Sequence, residues 1–158
     1  MIAHRFAPFL TAVAFAAGTA WAQVPQYGPN VNLEQAKKMS AAAEAEARKN
    51  SWPVAIAIVD TAGMLVHYVR IDGTQTGSVQ VALDKATSAA MFRRPTKAYQ
   101  DVVAGGGAGL RILNVRGASA VEGGVPILVD GKIVGGIGVS GVNADQDAQV
   151  ANAGADAK

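Results

Sequence analysis

Residues 123–141 read GGVPILVDGKIVGGIGVSG and constrain the fold more than any other stretch of the chain. Two short apolar, β-prone runs flank the dipeptide Asp130-Gly131. This dipeptide is typical of a type I′ turn, in which both central residues have positive φ, so the stretch predicts a β-hairpin. The second strand contains Gly135, Gly136 and Gly138. They indicate a bulge packed under a helix or, alternatively, the close approach of another backbone or a flat ligand.

The first half of the chain alternates between helix and strand patterns. Asn32 and Gln35 have capping-box spacing, which predicts that a helix starts after Asn32. Residues 54–59 form an apolar run. Residues 64–70 read as a second strand with alternate residues on its two faces, so the two segments predict strands joined by a tight turn. A second helix is predicted over residues 78–92, and it ends before Pro95 because a residue that precedes proline avoids the α region.

The second half predicts the remaining elements of one domain. The Thr96 hydroxyl is placed to cap a short helix, and Asn143 or Asp145 to cap a last one. Residues 110–122 have the weakest pattern, which we interpret as an irregular segment with a short strand. The element order α-β-β-α-α-β-β-α, with strands joined in pairs by short turns, predicts an α/β (α+β) fold: an antiparallel sheet flanked by helices.

The first 22 residues predict a secretory signal peptide. His4 and Arg5 precede an apolar run, and Ala20-Trp21-Ala22 offers small residues at the two positions that a signal peptidase reads. The apolar run is too short to span a bilayer. We therefore expect cleavage before Gln23 and a periplasmic or secreted protein. Residues 23–31 would then be an extended lead-in, and residues 32–158 the folded domain.

Composition narrows the classes of function. The 158 residues are 50% hydrophobic and include no cysteine, so an exported protein of this kind depends on its core or on association with copies of itself. Loss of the predicted signal peptide removes one arginine from a formal net charge of +2, which leaves +1. No cluster of cations is larger than a pair such as Arg93-Arg94, and no aromatic platform is evident. Nucleic-acid binding is therefore not indicated.

His67 is the only histidine outside the predicted signal peptide. A histidine can ligate haem iron or another metal, or transfer protons near neutral pH; midway along a strand it can equally be an exposed or hydrogen-bonded structural residue. The glycines of residues 104–109 lack the context of a phosphate-binding loop. Ser140 lacks the nucleophile-elbow pattern, so a hydrolase is not indicated.

Residues 92–99 contain the richest group of candidate binding residues. Phe92 and Tyr99 offer flat apolar surface, while Arg94 and Lys97 can bind carboxylates such as the propionates of a tetrapyrrole. The alternative interpretation is a solvated helix end with its cap.

In this order, the segments resemble the GlcG/HbpS family. The resemblance rests on residues 54–60 with Gly63, residues 70–73, Lys85-Ala86, residues 92–96, residues 123–127 with Asp130-Gly131, residues 134–141 and residues 147–154. It covers the chain from Asn32 onward and implies a profilin-like domain that assembles into dimers and often octamers. Exported members of the family are similar to extracellular haem-binding proteins, some linked to haem degradation or redox sensing. Others lie beside glycolate-use genes or form the tail of corrinoid adenosyltransferases.

The resemblance implies haem as a cofactor. A threonine near the iron in haem-binding relatives corresponds to Thr96, whereas His67 would be an iron ligand specific to this protein. We expect Arg94, Lys97 and Arg70 near the propionates, and Phe92 and Tyr99 against the ring. One alternative is an enzyme or accessory protein that holds a small hydroxy or oxo acid with Arg70 and Arg94. Another is a self-assembling scaffold or the partner of a membrane sensor.

Overall fold

The computed structural model describes residues 24–157, so the predicted signal peptide lies outside the described residues. The described chain runs through α1 (Leu33–Lys49), β1 (Ala55–Val59), β2 (Leu65–Arg70), α2 (Ser78–Phe92), α3 (Lys97–Ala104), a 3₁₀ helix (Gly107–Asn114), β3 (Gly124–Val129), β4 (Lys132–Ser140) and α4 (Ala144–Ala155). None of the helices in residues 24–157 is both long enough and apolar enough to cross a membrane.

The four strands form one sheet in the order β2-β1-β4-β3, and every neighbouring pair is antiparallel. This confirms the predicted α+β class. α1 and α4 cover one face of the sheet, where Met39, Ile56 and Ile137 belong to the larger core. α2 covers the other face through small residues. The β3–β4 hairpin also has the predicted turn, because φ is 50° at Asp130 and 73° at Gly131.

Packing under α2 explains two of the β4 glycines, because the backbone of the helix comes close to them, as the second of the two interpretations expects for another backbone. A Cβ at Gly138 would overlap the carbonyl oxygen of Ala82 and the nitrogen of Ala86. A Cβ at Gly136 would lie 2.9 Å from the nitrogen of Ala90. The backbones of helix and strand therefore approach each other more closely than any side chain on these two strand positions allows.

Capping of α1 follows the sequence prediction. The Asn32 side chain accepts from the Gln35 nitrogen at 2.9 Å, and the Gln35 side chain accepts from the Asn32 nitrogen at 3.0 Å. The predicted cap of α3 is wrong, because Thr96 makes no side-chain cap bond. Its hydroxyl accepts instead from the backbone nitrogen of Gly124 at 2.9 Å, and this bond to the edge of the sheet replaces the local one.

The segment between α3 and β3 also differs from the prediction. Residues 107–114 form a 3₁₀ helix, and the described residues between it and Gly124 contain no strand, so the short strand predicted there is wrong. Apolar residues in this segment suggested a strand, yet several of them lie exposed on the surface and are not hydrogen-bonded into the sheet.

Residues 24–31 lie against the domain as an extended strap. The Gly28 nitrogen donates to the Ile133 carbonyl at 2.7 Å, and the Ile133 nitrogen donates to the Gln26 carbonyl at 2.8 Å. A further bond joins the Val31 nitrogen to the Val134 carbonyl at 2.8 Å. The strap thus pairs with Ile133 and Val134, near the start of β4. β1 does not reach these residues, because its pairing with β4 ends at Gly136.

Candidate functional site

The break between α2 and α3 brings the predicted ring-binding residues together. The rings of Phe92 and Tyr99 meet edge to face, with centroids 5.7 Å apart and planes at 87°. The Arg94 guanidinium lies 5.6 Å from the centroid of the Tyr99 ring. Lys97, in the first turn of α3, is exposed. We call these four residues the helix-break cluster.

The two cations of the cluster are on the surface. The Arg94 Nε donates to the Phe92 carbonyl at 3.2 Å. The Lys97 Nζ lies 2.8 Å from Asp101 Oδ1, and this hydrogen bond raises the pKa of the Lys97 ammonium. The Lys97 ammonium therefore stays charged at neutral pH, and both side chains are placed to meet an anionic group of a ligand.

An apolar surface adjoins the helix-break cluster. The segment from residue 102 to residue 121, which we call the apolar segment, carries five large hydrophobic side chains that are each at least 40% exposed: Val102, Leu110, Leu113, Val115 and Val121. The segment comes close to the cluster at Gly117, where a Cβ would lie 3.9 Å from the Phe92 ring. Exposed apolar side chains grouped in this way are typical of a binding surface.

Thr96 is buried rather than part of this surface. Its exposed fraction is 0%, and its backbone nitrogen donates to the Gly124 carbonyl at 3.0 Å while its hydroxyl accepts from the Gly124 nitrogen. A ligand atom reaches the Thr96 hydroxyl only if this pair of bonds to β3 opens. The role of Thr96 at iron stays a prediction.

His67 lies elsewhere on the sheet. It belongs to β2, one edge strand, whereas Gly124, the partner of Thr96, belongs to β3 at the opposite edge. Three strand spacings of about 4.8 Å separate these edges by about 14 Å. The predicted alternation of β2 is interrupted by a bulge, because Ile58 pairs with His67 and Val59 with Leu65. One copy of the chain does not bring the two candidate iron ligands together.

Arg70 is also distant from the helix-break cluster. Its Nη2 donates to the Thr74 carbonyl at 2.7 Å, in the loop before α2. Arg94 follows the other end of this 15-residue helix, which is about 22 Å long at about 1.5 Å per residue. Within one copy, Arg70 and Arg94 therefore cannot hold the same small acid.

The sequence interpretation missed a buried ion pair that joins three parts of the fold. The Lys85 Nζ lies 2.8 Å from Asp147 Oδ2 and donates to the Val139 carbonyl at 3.0 Å. The side chains of Lys85 and Asp147 are 1% and 3% exposed. One signal in the sequence could have revealed this pair. Lys85 lies among the alanines that form the buried face of α2, and a lysine is almost never fully buried unless it has a partner of opposite charge.

A small cavity lies next to this pair. Its volume is about 200 Å³, and its lining residues are Pro95, Lys97, Glu122, Gly123, Gly124, Val125, Ala148 and Asn152. Gly123 has φ of 120°, and a Cβ there would lie 2.8 Å from the Lys85 Nζ. Only a glycine therefore fits between the cavity and the buried ammonium.

Burial makes Asp147 sensitive to pH. Loss of hydration raises the pKa of its carboxyl above the ordinary 3.8, although the Lys85 ammonium and backbone donors act in the opposite direction. The native protein thus binds this proton more tightly than the unfolded chain does. The stabilisation that comes from binding this proton is complete below pH 3.8 and is lost as pH rises through the raised pKa, whereas the contacts of the charged carboxylate remain.

We expect the non-titrating variant Asp147→Asn to reveal this contribution. Across the interval above pH 3.8, the wild type should lose stability relative to the variant as pH increases. Denaturant unfolding of both proteins at a series of pH values measures the difference. A constant difference across this interval would show that the pKa of Asp147 is not raised.

The sequence of this chain matches that of known proteins. The model of the family described as haem degrading protein HbpS-like matches residues 31–156. Protein GlcG of Escherichia coli K12 is 40% identical over 110 residues, which are 70% of this chain and 81% of GlcG.

Two solved structures have the same fold. A double variant of HbpS from Streptomyces reticuli is 31% identical and superposes with a TM-score of 0.74, covering 92% of this chain and 96% of that one. A structure described as a complex of PduOC with haem is 27% identical, with a TM-score of 0.74, and covers 82% of this chain and 95% of that one. The match over nearly all of the folded domain shows that the chain belongs to the HbpS-like family.

Proposed function

We propose that this protein binds haem on the surface formed by the helix-break cluster and the apolar segment. The observation that carries the proposal is the group of exposed apolar side chains beside the Phe92–Tyr99 pair, with two cations at its margin. A similar fold in a complex with haem supports it. We further propose that the protein is exported, acts in the periplasm or outside the cell, and handles haem or senses redox state there.

Haem has a flat macrocycle, two propionates and an iron atom, and the residues present fit the first two of these parts. The apolar segment and the Phe92 ring offer surface for the flat macrocycle, since aromatic side chains bury a large area against such a ring. The Arg94 guanidinium and the Lys97 ammonium suit the two propionates. Bound haem would supply an iron centre, whose chemistry depends on its axial ligand and surroundings.

Axial ligation is the part that one copy of the chain leaves open. Thr96 requires the opening of its bonds to Gly124, and His67 lies at the other edge of the sheet. The family resemblance implies dimers or octamers, and association of copies would cover part of the exposed apolar segment. We therefore include self-association in the proposal, with a membrane sensor as a further candidate partner.

Haemin titration of the purified protein, followed by absorbance, tests the proposal. We expect a saturable Soret shift at one haemin per chain or per dimer, with a dissociation constant of about 1 µM or lower. The variant Leu113→Glu introduces a charge at a side chain that is 65% exposed, and we expect it to weaken binding at least about tenfold because the charge must lose hydration against the ring.

A matched control separates specific binding from adsorption. Leu33, on α1, is 47% exposed and lies away from the apolar segment, so Leu33→Glu should leave the titration unchanged. Equal loss in both variants, or unsaturable uptake by the wild type, would mean that haemin only adsorbs to apolar surface. The variants Thr96→Ala and His67→Ala then identify the iron ligand, because loss of an axial ligand changes the Soret band.

A further inference from the structure

The strap of residues 24–31 contacts the break between α2 and α3 directly. The Tyr27 hydroxyl donates to the Met91 carbonyl at 2.7 Å and lies 3.3 Å from the Ala90 carbonyl. These two carbonyls belong to the last turn of α2, where backbone acceptors lack partners within the helix. Residues 24–30 precede the stretch that the family model matches, so family membership assigns them no role.

Arg93 at the break has a backbone conformation that is costly for its residue type. Its φ is 55° and its ψ is 38°, in the left-handed region that glycine usually occupies at the end of a helix. The strap holds the Arg93 side chain: the guanidinium lies 5.2 Å from the centroid of the Tyr27 ring, and Nη1 donates to the Pro25 carbonyl at 3.3 Å.

The conformation of Arg93 sets the direction of the chain through the helix-break cluster. Because Arg93 is left-handed and Pro95 prevents Arg94 from continuing a helix, the chain changes direction between α2 and α3. At this break the Tyr99 ring lies against Phe92 and the Arg94 guanidinium lies over Tyr99. A right-handed conformation at residue 93 would separate these groups.

We propose that Tyr27 and Arg93 are positioning residues for the ligand surface: the strap holds Arg93 left-handed, and Arg93 in turn holds Phe92, Arg94 and Tyr99 in their binding arrangement. This inference rests on the proposed haem site. It also assigns a role to a segment that the sequence interpretation described only as a lead-in.

Rescue by glycine tests the proposal. The variant Tyr27→Ala removes both the ring under the guanidinium and the bond to α2, and we expect it to weaken haemin binding about tenfold because the left-handed conformation of an L-residue is unfavourable when unsupported. Adding Arg93→Gly to Tyr27→Ala should restore affinity to within about threefold of the wild type and restore the wild-type Soret band, since glycine adopts this conformation freely.

A purely structural role for Tyr27 would not produce this pattern. Loss of strap contacts alone would make the double variant bind no better than Tyr27→Ala, because Arg93→Gly removes one further contact, the bond to the Pro25 carbonyl. Wild-type affinity and spectrum in folded Tyr27→Ala would also overturn the proposal. The variant Tyr27→Phe keeps the ring and loses the hydroxyl, so we expect it to bind between the wild type and Tyr27→Ala.

Hydrogen exchange without haemin keeps the inference separate from the proposed function. Amides of residues 92–99 should exchange faster in Tyr27→Ala than in the wild type and return towards the wild-type rate in Tyr27→Ala/Arg93→Gly, while amides of α1 stay unchanged. If the wild type binds no haemin, the proposed function fails and this pattern still supports positioning of the break by the strap. Unchanged exchange over residues 92–99 in Tyr27→Ala overturns it.

Discussion

The variant Gly138→Ala should lose about 3 kcal/mol or more of its free energy of unfolding, or fail to fold, because overpacking of a core costs 1–3 kcal/mol even when side chains can move. Here the added Cβ meets backbone: it overlaps the Ala82 carbonyl and the Ala86 nitrogen and lies 3.0 Å from the Ala86 Cα. α2 can make room only by moving away from the sheet. Urea unfolding followed by circular dichroism measures the loss.

The matched control for this prediction is Gly77→Ala. Gly77 precedes α2 with φ of −61°, and nothing lies within 4 Å of the position that its Cβ would take. We expect a change of less than about 1 kcal/mol, the usual scale of an altered helix terminus. Similar losses at both positions would mean that the loss does not come from the close approach of α2 to β4.

The variant Asp147→Ala should lose about 3–5 kcal/mol at neutral pH, because removal of one partner leaves the Lys85 ammonium buried without its counter-charge. The lost contacts are the 2.8 Å ion pair and the 3.2 Å bond that Asp147 Oδ1 accepts from the Val142 nitrogen. The first holds α4 against α2, and the second holds α4 against the residues that follow β4. Thermal and urea unfolding of the variant test this expectation.

The double variant Lys85→Met/Asp147→Leu shows whether the loss of stability in Asp147→Ala comes from the unpaired charge or from lost packing and hydrogen bonds. Replacement of both members of a buried pair by apolar residues of similar volume is often nearly neutral for stability, so the double variant should be more stable than Asp147→Ala by about 2 kcal/mol or more. This agrees with the raised pKa of Asp147, which shows that burial disfavours its charge. If the double variant is as unstable as Asp147→Ala, the hydrogen bonds to Val139 and Val142 outweigh the charges.

The elements with local signals were predictable. The Asn32–Gln35 box, the Asp130-Gly131 turn and the stop at Pro95 depend on residues that are near one another in sequence, and each appears as predicted. The predicted Thr96 cap failed because a bond to Gly124, 28 residues later, competes with the local one. The strand predicted before β3 is wrong. The apolar residues that precede β3 lie on the surface of the described chain and pair with no strand of the sheet.

In the candidate site, too, contacts between neighbours in sequence were predictable and contacts between distant residues were not. The helix-break cluster was predictable because its members lie within eight consecutive residues. The Lys85–Asp147 pair spans 62 residues, and the Tyr27–Met91 bond spans 64, so no local spacing joins them. The separation of His67 and Arg70 from the cluster depends on strand order and helix length, neither of which a motif records.

Backbone preferences and spacings over a few residues were sufficient to predict the hairpin turn, the start of α1 and the end of α2, whereas the resemblance to a family came from motifs spread along the chain. Only the folded chain shows which candidate residues share a surface, which charges are buried and what the glycines of β4 accommodate. These depend on the close approach of segments that are distant in sequence. Their energies come from burial and from contacts that form only when the sheet and its helices are assembled.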